Sequence, residues 1–218
     1  MSSPATWLKA YVVPKALVGL LAVAGLLLSA CGSSGLATID NQTDNHGYHG
    51  IYLPKPYVVP NIQLTDTENA SYSIAQATKP LDLVFFGYTK CPDVCQIVMS
   101  TIASAVSRLG ASQQKDVQVV FVTTDPGRDT VPVLQTYLAH FNPDFIGLTG
   151  SISTIDSLGK PLGIFIKKGQ KVPGGGYDVT HTTNVIAVHA GAAPLVWDQN
   201  ASPAQMSADI VKLLKEFA

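Results

Sequence analysis

Leu81 to Phe86 is an apolar run of strand length, and such a run suits a strand covered by helices on both faces. The next segment has a different period. Val94, Ile97, Val98, Ile102, Ala105, Val106 and Leu109 recur at helical spacing, Pro92 sits where a first helical turn tolerates proline, and Gly110 supplies a stop. The alternation then repeats. Val117 to Val122 reads as a second buried strand and Thr130 to Phe141 as a helix with Val133, Leu134, Tyr137 and Leu138 on one face.

Further along, Phe145 to Leu148 and Leu162 to Ile166 read as strands around a short helix at Ser153 to Leu158. Asn184 to Val188 and Pro194 to Trp197 suit a hairpin across His189-Ala190-Gly191-Ala192. A capping box, Ser202-Pro203-Ala204-Gln205, opens a last helix that buries Met206, Ile210, Leu213, Leu214 and Phe217. Tyr57 to Tyr72 alternates apolar and polar residues around turn signals and predicts an N-terminal hairpin. Strand, helix, strand, helix, then a hairpin and a helix is thioredoxin-like order. The expected fold is therefore α/β, a central mixed sheet flanked by helices with an N-terminal β-hairpin extension.

The chain has 218 residues, 46% hydrophobic and 13% charged with a net charge of −1, enough for one medium domain plus extra segments. No Lys/Arg excess of the kind that displaces counterions from a phosphate backbone is present, so nucleic acid is not an expected partner. Lys9 and Lys15 precede the apolar run Ala16 to Leu28, which is short for a membrane span and has the layout of an export signal. Leu28-Ser29-Ala30-Cys31 resembles a bacterial lipobox, whose cysteine is lipidated; the plain alternative is an unmodified Cys31 ending an anchor helix. Residues 1–30 then form a lipoprotein signal peptide, 31–50 a lipidated cysteine and flexible tether, and 51–218 the folded domain. The domain is expected outside the cytoplasm, held at a bacterial membrane by its lipid. His46 and His49 read as solvated tether histidines, and His140 and His189 as ordinary polar residues.

Chemistry concentrates in Cys91-Pro92-Asp93-Val94-Cys95. With a helix starting at about Pro92, this spacing brings both sulfurs to one side of the first turn, where backbone N–H groups favour a thiolate. Three readings fit such a pair. A structural disulfide would close a very small loop and stabilise little. A thiol–disulfide oxidoreductase usually separates its cysteines by two residues, one fewer than here. A metal site needs at least one more ligand, and His181, just before the strand at Asn184, is the candidate because a thioredoxin-like fold brings its loop beside the first helix turn. Two thiolates and an imidazole suit Cu(I), with Zn(II) as the rival, although a structural zinc site would want a fourth protein ligand.

At these residues the chain resembles a known family. Phe85-Phe86-Gly87-Tyr88-Thr89-Lys90-Cys91-Pro92-Asp93-Val94-Cys95, then Thr124-Asp125-Pro126-Gly127-Arg128-Asp129-Thr130, then Phe145-Ile146-Gly147-Leu148-Thr149-Gly150 resemble the Sco/SenC copper-binding assembly factors, over about Tyr57 to Ala218. The resemblance implies copper, as Cu(I) with Cu(II) also open, held by Cys91, Cys95 and His181. It also implies delivery to the binuclear copper site of cytochrome c oxidase subunit II or another respiratory copper protein. The alternative function is an extracytoplasmic thiol–disulfide reductase that keeps a partner's cysteines reduced for metallation. This chain has Thr180 and Thr182 where the family commonly has an acidic residue and a serine around the histidine. Asp178 or a backbone carbonyl is then the expected partner of the imidazole, since a ligating ring directs its other N–H to such a group. Asp125 stands at a strand C-terminus, placed to tune the site or meet a partner, while Asp129 or Thr130 is placed to cap the next helix.

Overall fold

The computed structural model describes residues 45–171 and 177–218, with backbone alone for Gln170, Lys171 and Tyr177. The export signal, Cys31 and most of the expected tether lie outside the described residues. Among the described residues ten strands run in chain order as β1 Ile51–Val58, β2 Leu64–Asp66, β3 Ser71–Tyr72, β4 Leu81–Gly87, β5 Val117–Thr123, β6 Ile146–Thr149, β7 Ile166–Lys171, β8 Tyr177–His181, β9 Val185–His189 and β10 Ala192–Trp197. The α-helices are α1 Val94–Ser107, α2 Ala111–Lys115, α3 Val131–Ala139, α4 Ile152–Gly159 and α5 Pro203–Glu216.

Eight strands form one sheet in the order β1-β10-β9-β4-β5-β6-β2-β3, and β7 with β8 forms a separate ribbon. β4 and β5 run parallel, while β9 is antiparallel to β4, the mixed thioredoxin-like arrangement expected from the sequence. The apolar runs are explained by two cores. Leu83 and Phe85 face α1, α3 and α5 on one side, and Val84 and Phe86 face Ile155, Leu158 and Leu162 on the other. Each such side chain, fully buried, contributes about 1.5–3 kcal/mol relative to exposure. The β9–β10 hairpin turns through Ala190 and Gly191, both at positive φ (46° and 76°), which matches the twist of a two-residue turn.

Several boundaries differ from the sequence reading. The N-terminal hairpin is only β2 with β3, attached to β6, whereas Tyr57 lies in β1, which pairs with β10 at the opposite edge. Alternation in a sequence carries no address for the partner strand. The strand expected at Leu162 to Ile166 starts only at Ile166, as β7: Lys160–Leu162 is a 3₁₀ turn, and the following loop buries Leu162 and Ile164 in the second core. α1 starts at Val94 with Asp93 as its N-cap, so Pro92 precedes the helix. Gly110 serves as the N-cap of α2 instead of closing α1. Ile97, placed by spacing on the core face, is 59% exposed.

Asn45 to Gly50, within the segment read as tether, packs on the domain. His49 N and Nδ1, Gly50 N and Trp197 Nε1 all donate to the carboxylate of Asp209 on α5, at 2.8 to 3.1 Å. The Tyr48 hydroxyl donates to Glu216 at 2.5 Å. His49 is therefore a bonded part of the fold.

A second buried carboxylate is poorly served. Asp82, in β4, is 1% exposed, and neither oxygen has a hydrogen-bond partner at ordinary distance. Burial pushes its carboxyl up from 3.8 to about 7, offset only in part by nearby Lys79 and Tyr72. Between those values the folded chain keeps a proton that the unfolded chain has released, so Asp82 makes stability fall as pH rises from about 4 to about 7. Asp82→Asn is expected to flatten that decline and add about 2–4 kcal/mol at pH 8. Urea midpoints of both proteins at pH 5 and pH 8 check this; parallel pH profiles would contradict it.

Candidate metal and redox site

The site begins where β4 ends. Gly87 lacks the side chain that would collide with its surroundings: a Cβ there would sit 2.9 Å from Phe85 and Phe121 and 3.2 Å from Cys95 Sγ. A turn comes next, closed by Cys91 N donating to the Tyr88 carbonyl at 3.2 Å, and α1 then starts with Cys95 in its first turn. Both cysteines are free thiols, 5% and 0% exposed. Cys95 N donates to Cys91 Sγ at 3.4 Å, so a helix N-terminal amide is aimed at that sulfur. With the Cys95 thiol as a hydrogen-bond partner, Cys91 is lowered to about 6, against burial. The same bond and burial push Cys95 up. The two thiols therefore titrate as one pair in which negative charge is favoured on Cys91 over Cys95.

His181 closes the group from β8. Its Nε2 lies 3.6 Å from Cys95 Sγ, and its Nδ1 lies 2.9 Å from the Thr182 carbonyl. A carbonyl only accepts, so Nδ1 carries the hydrogen and the Nε2 lone pair faces the sulfur. Burial lowers the imidazole pKa, partly offset by the Thr182 carbonyl and Asp178, which keeps the ring neutral. Bonds of about 2.3 Å to sulfur and 2.0 Å to nitrogen, at angles between tetrahedral and trigonal, separate two donors by about 3.5–3.7 Å. The observed spacing fits that range. Among the described residues no group of three or more His, Cys, Asp and Glu stands in finished cage geometry. The donors are instead packed through a shared proton, which a soft metal ion would displace.

Asp178 and Asp125 reach the ring indirectly, through Tyr88. The Tyr88 hydroxyl donates to Asp178 at 2.5 Å, and its ring lies edge-on to His181 with centroids 5.9 Å apart. Burial, then the Asp178 bond, pushes the Tyr88 phenol up, so it stays a donor. Asp125 pairs with Arg128, whose guanidinium sits 5.8 Å from the Tyr88 ring centre. The imidazole's partner is thus the Thr182 carbonyl, and Asp178 ties β8 to the cysteine turn. Sequence reasoning assigns Tyr88 no role. Its only signal there is an aromatic residue three positions before Cys91. Cys31 lies outside the described residues.

Comparisons with known proteins point to one family. A family profile described as SCO1/SenC matches residues 53–215. A SCO2-like protein of Rickettsia felis is 34% identical over 119 residues, 55% of this chain and 58% of that relative, so the match spans little more than half of its length. The solution structure of apo Sco1 from Thermus thermophilus superposes with a TM-score of 0.68 at 32% identity, covering 76% of this chain and 96% of that one. ScoI of Bradyrhizobium japonicum, solved with copper bound, gives 0.64 at 27% identity, covering 72% and 99%. With one profile spanning both cysteines and the histidine, and solved relatives sharing the fold, the chain belongs to the SCO1/SenC family.

Proposed function

We propose that this chain is a copper metallochaperone, lipid-anchored through Cys31 on the extracytoplasmic face of a bacterial membrane. It holds one copper as Cu(I) through Cys91, Cys95 and His181 and passes it to the binuclear copper site of cytochrome c oxidase subunit II. The observation that carries the reading is the contact of Cys95 Sγ with the lone-pair nitrogen of His181, 3.6 Å away, beside a second sulfur. Family membership and copper-bound relatives support it.

Copper is the cargo. Loading displaces whatever protons the two thiols still hold and leaves two thiolates, Cu(I) and a neutral imidazole with a formal charge of −1. A partner richer in thiolates can take the ion by stepwise ligand exchange. Mixing Cu(I)-loaded protein anaerobically with a copper-free, reduced subunit II domain tests the proposal. Copper is expected to move to the acceptor; an acceptor left empty beside a fully loaded donor contradicts it.

The split between the two thiols favours a second reading. A sulfur lowered to about 6 beside a protonated neighbour is also how a thiol–disulfide reductase attacks. In that reaction one acceptor disulfide becomes two thiols as Cys91 and Cys95 become a disulfide. Acceptor reduction without metal transfer supports the reductase.

A further inference from the structure

The sequence offers Asp129 or Thr130 as the cap of the next helix; Thr130 is the N-cap of α3, without a side-chain capping bond, and the Asp129 carboxylate is used elsewhere. It is fully buried, at 0% exposure. Oδ1 accepts from Thr89 Oγ1 at 2.6 Å, and Oδ2 accepts from Thr89 N at 3.0 Å and Thr123 Oγ1 at 2.7 Å. Thr89 stands in the turn that delivers Cys91, and Thr123 is the last residue of β5. One carboxylate therefore joins the cysteine turn to the rigid sheet. The join is braced on both sides. Thr123 Oγ1 also accepts from Asp125 N at 2.9 Å, and Thr124 N donates to the Gly87 carbonyl at 2.6 Å.

A buried carboxylate with three donors supplied by two hydroxyls and an amide is costly to bury and strongly directional. Such a group is well suited to fix a backbone position. From this geometry we infer that Asp129 is a positioning residue for the cysteine pair. Through Thr89 it holds the Tyr88–Cys91 turn at the height where the Cys91 sulfur meets the Cys95 amide, next to the Cys95 sulfur that faces His181. Without that hold the turn relaxes toward Cys95, which weakens the three-donor site and favours a disulfide. Only the metal arm of this inference rests on the copper reading above; the thiol arm does not.

Thr89 permits a clean test because it is only half-buried and a shape-preserving change is available. Thr89→Val keeps the N–H bond to Asp129 and removes the hydroxyl bond, while Thr89→Ser restores it. Two quantities are measured, with folding followed by far-UV circular dichroism. One is Cu(I) affinity in competition with a chromophoric chelator. The other is the thiol–disulfide equilibrium with glutathione, in which each pair oxidised reduces one glutathione disulfide to two glutathiones. Thr89→Val and Asp129→Asn are expected to lower Cu(I) affinity about 10–100-fold, the range for partners that orient a ligand. Both are expected to shift the glutathione equilibrium about tenfold toward the protein disulfide, with Thr89→Ser near wild type in both. Wild-type values in Thr89→Val would overturn the inference, as would equal losses in Thr89→Val and Thr89→Ser. Should Asp129→Asn fail to fold, the Thr89 pair decides alone. A wild-type protein that takes up no copper removes the metallochaperone reading and leaves the glutathione arm to decide this one.

Discussion

Protein carrying His181→Ala is expected to leave anaerobic Cu(I) loading and a chelator wash with little copper, while its cysteines still exchange with glutathione. The imidazole is a donor aimed in advance: Nδ1 is committed to the Thr182 carbonyl at 2.9 Å, so the Nε2 lone pair needs no reorientation toward sulfur. Removing a ligand held this way should cost more than the 10–100-fold typical of the groups that orient ligands. The fold should lose far less, about 1–2 kcal/mol, because the ring is half-buried and makes edge contacts to Phe85 and Tyr88. Copper content and urea midpoints measured together separate the two effects. An unchanged copper-to-protein ratio would move the assignment to the reductase.

The largest loss of stability is expected at a residue far from the chemistry. Asp209 is 1% exposed and accepts from His49, Gly50 and Trp197. Asp209→Ala leaves the buried indole N–H and the Gly50 amide without acceptors and fills none of the space. At about 1–3 kcal/mol for each orphaned group, the cost is about 3–5 kcal/mol. That is a large share of the roughly 5–15 kcal/mol that holds a typical domain together. Tyr48 to Gly50 should fray first, since the carboxylate is what fastens them to α5. Urea unfolding of the variant measures the total, and hydrogen exchange at Gly50 and Trp197 localises it; a shift below about 1 kcal/mol would show that the bonds carry no net stability.

The parts of this protein legible in its sequence are those fixed by local rules. β4 and β5 are strands buried on both faces, and apolar runs announce them. α5 starts where Ser202 and Gln205 exchange capping bonds, and the β9–β10 turn falls where the sequence calls for a two-residue loop. What stayed hidden depends on distant partners. Nothing local tells β1 to join β10, Ile97 to face solvent, or His49 to find Asp209. The site divides the same way. Cys91 and Cys95 declare themselves by spacing, but Tyr88 and Asp129 act through bonds to residues 90 and 40 positions away. The sequence narrows the partner of His181 to Asp178 or a backbone carbonyl, and the structure selects the Thr182 carbonyl, a main-chain oxygen that no residue type marks. Fold class therefore follows from periodicity, whereas the roles of Tyr88 and Asp129 at the site follow only from tertiary contact.

X-ray absorption at the copper edge of Cu(I)-loaded protein tests the central claim most directly. Two sulfur scatterers and one imidazole nitrogen around a single copper, with the nitrogen lost in His181→Ala, is the predicted result. A sulfur-only first shell, identical in wild type and His181→Ala, would contradict it.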